Sequence, residues 1–314
     1  LKLPKSQKLR LLRSQKKIRR TTIKKSRKQK LKSYLVLLEM SITAAEVNKL
    51  RKQTGAGMMD RKKALVEADG DYEKAVDYLR KKGQKVAAKR GDRDANEGLV
   101  IAKTVDGKRG TMIVLNCETD FVAKNEDFGN FANTILDLAI ENKVSSIDEL
   151  KAMNYNGSGL SVADKITEQV GKIGEKIDLS AFEVVEASKV VAYNHPGNKL
   201  AAMVGIDSDA VDDETGKDVA MQIAAMNPVS VDSDGVDKET IEREIEIGKE
   251  QARQEGKPEE MLEKIAMGKL NKFYKESTLL NQQFIKDNKQ TVKQYLESVD
   301  KNAKITGFKR ISLG

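Results

Sequence analysis

Cys117 and His195 are the only thiol and the only imidazole in this 314-residue chain, so they bound the covalent chemistry open to it. A Cys–His nucleophile pair is the enzymatic reading they allow. Cys117, however, ends the apolar run TMIVLNC, where an inert buried thiol is expected in place of an activated thiolate. His195 stands in HPGN, residues 195–198, and reads as a hairpin-turn residue beside Pro196 and Gly197. With one Cys and one His, a four-coordinate zinc site within the chain is not expected. No GxxxxGK[ST] loop occurs, and the GSG at 157–159 lacks the strand-to-helix setting of a nucleotide-binding turn. The chain is expected to be no enzyme of bond-making chemistry and to need no cofactor and no metal. A single Cys also excludes an internal disulfide and fits a reducing compartment, although it leaves a link between two chains open.

The residues suited to binding chemistry lie in NCETDFVAKNEDF, 116–128. Before this segment Met112, Ile113, Val114 and Leu115 read as a buried strand; after it Phe128, Phe131, Ile135 and Ala139 recur at helical spacing. Phe121 falls between the two elements, directly after Asp120. The chain has seven Phe, seven Tyr and no Trp, so a large ring on a connection is a notable use of aromatic surface. An exposed aromatic beside a charge is a typical interface anchor. The competing reading folds the ring back under its own loop, and residue type alone favours it.

Charge divides the chain sharply. Of 57 Lys plus Arg and 48 Asp plus Glu, residues 1–39 hold 15 and one, which leaves 42 basic and 47 acidic residues in 40–314. A mildly acidic body thus carries a basic arm, and the body is not expected to bind phosphate backbones. The arm, with KKIRR at 16–20 and KKSRKQK at 24–30, has no sustained periodicity and is expected to be disordered when free. It has three readings: an RNA- or lipid-binding tail, an organelle transit peptide, or translated sequence upstream of a native start at Met40, which immediately precedes the first folding signal. The run Leu35 to Leu38 is far too short to span a bilayer, and no other segment approaches about 20 apolar residues.

The elements that must position these residues are legible from their caps. Thr43 and Glu46 form a capping box with Ile42 and Val47 as a staple, which predicts a helix from residue 44 to Gly55. A second helix is expected over about 57–68, with Met58, Leu65 and Ala68 inward and Gly70 closing it. Asp71 then caps a third, carrying Ala75, Val76 and Leu79 and ending at Gly83. Residues 84–97 read as a charged linker, helical at most at its start. Beyond it the order strand, Asp106-Gly107 turn, strand, tip, helix over 98–142 repeats weakly over 184–227, where strands flank HPGN and a helix with Val219, Ile223 and Met226 stops at Pro228. Two ββα units of this kind predict an α+β fold with antiparallel sheets covered by helices. Residues 238–273 read as a projecting antiparallel helical hairpin, with Ile241, Ile245, Gly248 and Ala252 facing Met261, Leu262 and Ile265 across a turn at Gly256-Lys257-Pro258. A helix near 289–298 and a strand within 303–314 end the chain. The organisation expected is an extension at 1–39, a three-helix module at 40–83, core parts at 98–180 and 181–231, the hairpin within 232–280 and a C-terminal module at 281–314.

Five segments in this order, TGAGMMDRKKAL (54–65), ETDFVAKNEDF (118–128), KIGEKI (172–177), HPGNKLAAMVGID (195–207) and DVAMQIAA (218–225), resemble the elongation factor Ts family over essentially residues 40–314. The resemblance implies a guanine nucleotide exchange factor that binds elongation factor Tu in the bacterial cytoplasm, with an organelle as the less favoured setting. It implies that the three-helix module is like ubiquitin-associated domains. It also implies that a tip formed by Thr119, Asp120 and Phe121, supported by Val122, enters the GTPase beside its nucleotide and helps dislodge magnesium. Ile173, Gly174 and Lys62 match further contacts with that partner. Family members often carry a His within the segment matching 218–222, whereas Asp218 and Gln222 stand here, so that contact must be replaced or absent. The rival function is a ribosome- or RNA-associated protein acting through 1–39.

Overall fold

The computed structural model describes residues 42–208 and 210–314, so the basic arm lies outside the described residues. In chain order the elements are α1 (Ala44–Thr54), α2 (Met58–Glu67), α3 (Tyr72–Arg90), β1 (Glu97–Val105), β2 (Arg109–Cys117), α4 (Asp120–Ala123), α5 (Glu126–Glu141), α6 (Ile147–Ala152) and α7 (Val162–Ile173). There follow β3 (Ile177–Glu186), β4 (Lys189–Asn194), β5 (Leu200–Asp207), α8 (Asp213–Met226), α9 (Lys238–Gln254) and α10 (Glu259–Ser277). Last come β6 (Gln283–Phe284), β7 (Asp287–Thr291), α11 (Val292–Val299) and β8 (Lys304–Ser312). The fold is α+β with small antiparallel sheets. No described helix is long and apolar enough to cross a membrane.

The chain divides into two compact units. One runs to Gly91 and also takes Thr167–Gly174; the other holds Asp92–Ile166 and Glu175–Gly314. In the first unit the capping box of Thr43 and Glu46 forms, and Gly55 ends α1 in the left-handed region at φ 63°, its N–H returning to Arg51. Leu50, Ala64, Leu65, Ala68 and Ala75 make the core of α1, α2 and α3. Two expectations are corrected here. Met58 is 67 % exposed, not inward: it is in phase with Leu65 and Ala68, but it is the first residue of α2 and no described element covers it. Arg61 takes the inward place, its guanidinium donating to Val47 O at 3.2 Å. Gly83 does not end α3. The helix continues to Arg90 because Gly83 lies buried where α3 crosses α7, and a Cβ on Gly171 would stand 2.6 Å from the Gly83 Cα. A glycine that reads as a stop in one dimension is here a close-approach site between helices.

The second unit explains why GLVIA and TMIVL are continuously apolar and not alternating. Sheet β1-β2-β3 and sheet β4-β5-β8 pack face to face through Val100, Ala102, Met112, Val114, Val190, Ala201 and Met203. Their approach is close enough that a Cβ on Gly110 would meet Val190 Cγ1 at 2.8 Å and Met203 Sδ at 2.9 Å. The opposite face of the first sheet is covered by α5, packed on β1 and β2, and that of the second by α8 through Val219, Ala220 and Ile223. Strands with both faces buried lose the polar half of their alternation. The Asp106-Gly107 turn forms with both residues left-handed, at φ 55° and 61°. The third strand of each sheet escapes a local reading: β3 runs through residues 180 and 181 with a bulge at Ser180 and pairs with β2; β8 returns from the chain end to pair with β5. The hairpin α9–α10 closes on Gly248 against Ala266, with Leu262, Ala266 and Leu270 inward. Met261, expected on that face, is exposed, because the buried spacing runs 262, 266, 270.

Candidate functional site

The tip begins where the β2–β3 ladder stops. The last ladder pair is Cys117 with Ile177, so residues 118–119 stand opposite 175–176 and side-chain carboxylates take over from main-chain acceptors. Glu118 Oε1 accepts from Lys176 N at 2.7 Å; the Glu175 carboxylate accepts from Thr119 N at 3.1 Å and from Thr119 Oγ1 at 2.7 Å. Cys117 is buried and its Sγ donates to Thr119 O at 3.2 Å. Burial first, and the nearby Glu175 carboxylate second, push the Cys117 thiol up to about 12. It therefore stays a thiol at neutral pH and is no nucleophile there. His195 is exposed, its Nδ1 3.0 Å from Tyr193 Oη.

From Thr119 the chain enters the single helical turn α4. Ala123 N donates to Thr119 O at 3.2 Å and Lys124 N to Asp120 O at 2.9 Å. Ala123 is buried and anchors the turn; Phe121, two residues earlier and so on the opposite side at 100° per residue, is 83 % exposed. The ring is not folded under its own loop. Val122, the next residue, is half-buried, and its carbonyl accepts from Asn125 N at 3.0 Å. Asp120 Oδ2 pairs with Lys124 Nζ at 2.7 Å, and that ammonium holds the Asp120 carboxyl below the usual carboxylate range. Asn125 then caps α5 by accepting from Asp127 N at 2.8 Å. The result is a short, internally charge-paired turn that presents one aromatic ring to solvent.

The remaining candidates belong to the other unit. Lys62 is exposed on α2, which also carries exposed Met58 and Met59. Ile173 is half-buried at the end of α7, and Gly174 closes that helix at φ 86°, its N–H donating to Val170 O at 2.8 Å. The structure thus gathers Thr119, Asp120, Phe121 and Val122 on one turn, and places Lys62 with Ile173 and Gly174 in the unit that holds the three N-terminal helices. Asp218 and Gln222 are both buried and engaged internally. Asp218 pairs with Lys286 at 2.5 Å and accepts from Tyr295 Oη at 3.1 Å. Gln222 accepts from Ile285 N at 2.8 Å and donates to Gln283 O at 3.1 Å, so it clasps the C-terminal segment. Glu175 is the site residue missed by the sequence reading. Its only signal was an acid inside KIGEKI, 56 residues from the side chain it holds.

A family model described as Elongation factor TS matches residues 118–314. A relative named elongation factor Ts from Christiangramia forsetii is 55 % identical over 276 residues, covering 87 % of this chain and 99 % of that protein. Another of the same name, from Amoebophilus asiaticus, is 52 % identical over 278 residues, covering 88 % of this chain and 100 % of that protein. A third, from Cytophaga hutchinsonii, is 52 % identical over 276 residues, with 87 % and 99 % covered.

Proposed function

We propose, from the premise that this chain belongs to the elongation factor Ts family, that it is a guanine nucleotide exchange factor for elongation factor Tu, promoting GDP release by disturbing the magnesium and phosphate site of that GTPase. The observation that carries the reading is Phe121, 83 % exposed on an anchored turn inside the Thr-Asp-Phe motif. Such a factor makes and breaks no covalent bond. It binds the nucleotide-free GTPase more tightly than the nucleotide-bound form, and linkage requires that nucleotide weaken the factor by the same ratio. Burying one Phe ring in a partner pocket contributes about 2–3 kcal/mol, enough to offset part of a disturbed phosphate and ion site but not all of it.

The rest is assigned, in this reading, to a second set of contacts through Lys62, Ile173 and Gly174. Helices α1, α2 and α3 act as the module like ubiquitin-associated domains, and the helical hairpin within 232–280 projects from the two related core parts. The setting that goes with this partner is the bacterial cytoplasm. The deciding measurement mixes the chain with GDP-bound elongation factor Tu and follows complex formation with and without excess GDP. Complex is expected to form at low GDP and to disappear as GDP is raised; a complex indifferent to GDP would refute exchange.

A further inference from the structure

We infer that Glu175 is the positioning residue of the 119–122 turn, its carboxylate locking Thr119 and so setting the direction in which Phe121 leaves its unit. The inference deepens the exchange reading and rests on it for its kinetic consequence. A lone helical turn has too few hydrogen bonds to persist by itself, since nucleation is the costly step of helix formation. The ring of Phe121, being exposed, contributes little packing within its own unit. The turn is instead held at its two ends, by buried Ala123 at one and by Thr119 at the other.

Thr119 occupies the N-cap position of α4 but makes no side-chain capping bond there. Its hydroxyl goes to Glu175 Oε1 at 2.7 Å, and its N–H to Glu175 Oε2 at 3.1 Å. One carboxylate thereby consumes both donors of the residue next to Asp120 and Phe121. The reciprocal bond from Lys176 N to Glu118 Oε1, 2.7 Å, ties the same two segments one residue further on. Charge-assisted acceptors make this a firm clamp compared with neutral hydrogen bonds. Glu175 itself does not touch a partner in this account; it acts through the ring. Cys117, whose Sγ donates to Thr119 O at 3.2 Å, is a built-in reporter of whether the clamp is closed, and it is the only thiol in the chain.

The test uses the full chain and elongation factor Tu loaded with fluorescent GDP. Glu175→Ala is expected to lower the maximal release rate about 10-fold or more, because misplacing a working group by about 1 Å costs up to about 100-fold. The concentration giving half that rate is expected to change less than about three-fold, since most of the contact surface remains. Glu175→Gln restores the rate, its amide oxygen accepting from Thr119 N and its amide nitrogen donating to Thr119 Oγ1. In a Phe121→Ala background Glu175→Ala is expected to cost nothing further, the signature of action through the ring. Both substitutions remove the carboxylate charge that raises the Cys117 thiol, so labelling of Cys117 by a thiol reagent is expected to rise more in Glu175→Ala, which also opens the clamp, than in Glu175→Gln.

An unchanged maximal rate in Glu175→Ala, or the same loss with and without Phe121, overturns the inference. Should Glu175→Ala fail to fold, Thr119→Val, which deletes only the hydroxyl donor, carries the same comparison, and an unchanged rate again overturns it. A wild-type chain that does not accelerate GDP release refutes the exchange reading alone; the clamp is then judged by Cys117 labelling, and equal labelling of Glu175→Ala and Glu175→Gln removes it.

Discussion

Phe121 and Asp120 are adjacent yet do different work. Phe121→Ala removes a ring that is 83 % exposed, so the fold and its melting temperature are expected to stay unchanged. If the ring contributes its full burial free energy of about 2–3 kcal/mol to the state that releases nucleotide, stopped-flow GDP release should slow roughly 30- to 150-fold. Asp120→Ala is expected to cost less, because Asp120 spends its charge on Lys124 at 2.7 Å and shapes the turn instead of entering a partner. If Asp120→Ala proved the more damaging of the two, the ring would not be the working group. Phe121 was legible in the sequence because an aromatic between a strand and a helix is out of place by type. Its exposure was not: the choice between an outward ring and one folded inward turns on which side of α4 Ala123 anchors. Arg61 shows the same limit from the other direction, a charge that residue type puts outside and that Val47 O holds inside.

The helix crossing at Gly83 and Gly171 tests how the first unit is held together. Gly171→Ala places a methyl 2.6 Å from the Gly83 Cα, where backbone and not a flexible side chain must yield. The expected cost is about 1–3 kcal/mol, read as lost hydrogen-exchange protection over α1, α2 and α3. Gly129→Ala in α5 is the control. Nothing lies within 4 Å of its added Cβ, so it is expected to be neutral or to stabilise by up to about 1 kcal/mol through helix propensity. Equal effects of the two substitutions would remove the crossing as a support. Capping chemistry is why α1 and the Asp106-Gly107 hairpin were readable: a capping box and a left-handed Asp-Gly pair are local, and they form as read. Gly83 was misread because its role depends on Gly171, far along the chain. Helix α6 and the β6–β7 pair are too short to show a period, whereas α7 does show one, with Val162, Ile166 and Val170 buried at four-residue spacing.

Four layers, α5, sheet β1-β2-β3, sheet β4-β5-β8 and α8, make up the core of the second unit, and β3 and β8 complete the two sheets. The three relatives match 276 to 278 residues, 87–88 % of this chain, which is about the length of the body without the arm. A chain shortened to 40–314 is therefore expected to release GDP from elongation factor Tu at a rate within about two-fold of the full chain, whereas an RNA- or ribosome-directed function through the arm would be lost and would fall steeply with salt. A large drop in exchange on truncation would bring the arm into the mechanism. The sequence by itself determined what is written in near neighbours: helix starts, turns, apolar runs, the charge boundary near residue 39 and the motif that carries Phe121. Only the tertiary structure decided which strand closes each sheet, which glycines let helices cross, that Asp218 and Gln222 are spent on the C-terminal segment, and that Glu175 grips Thr119. The physical reason is that each of these pairs groups far apart along the chain, and a carboxylate or a glycine carries no local mark of the partner that packing will bring to it.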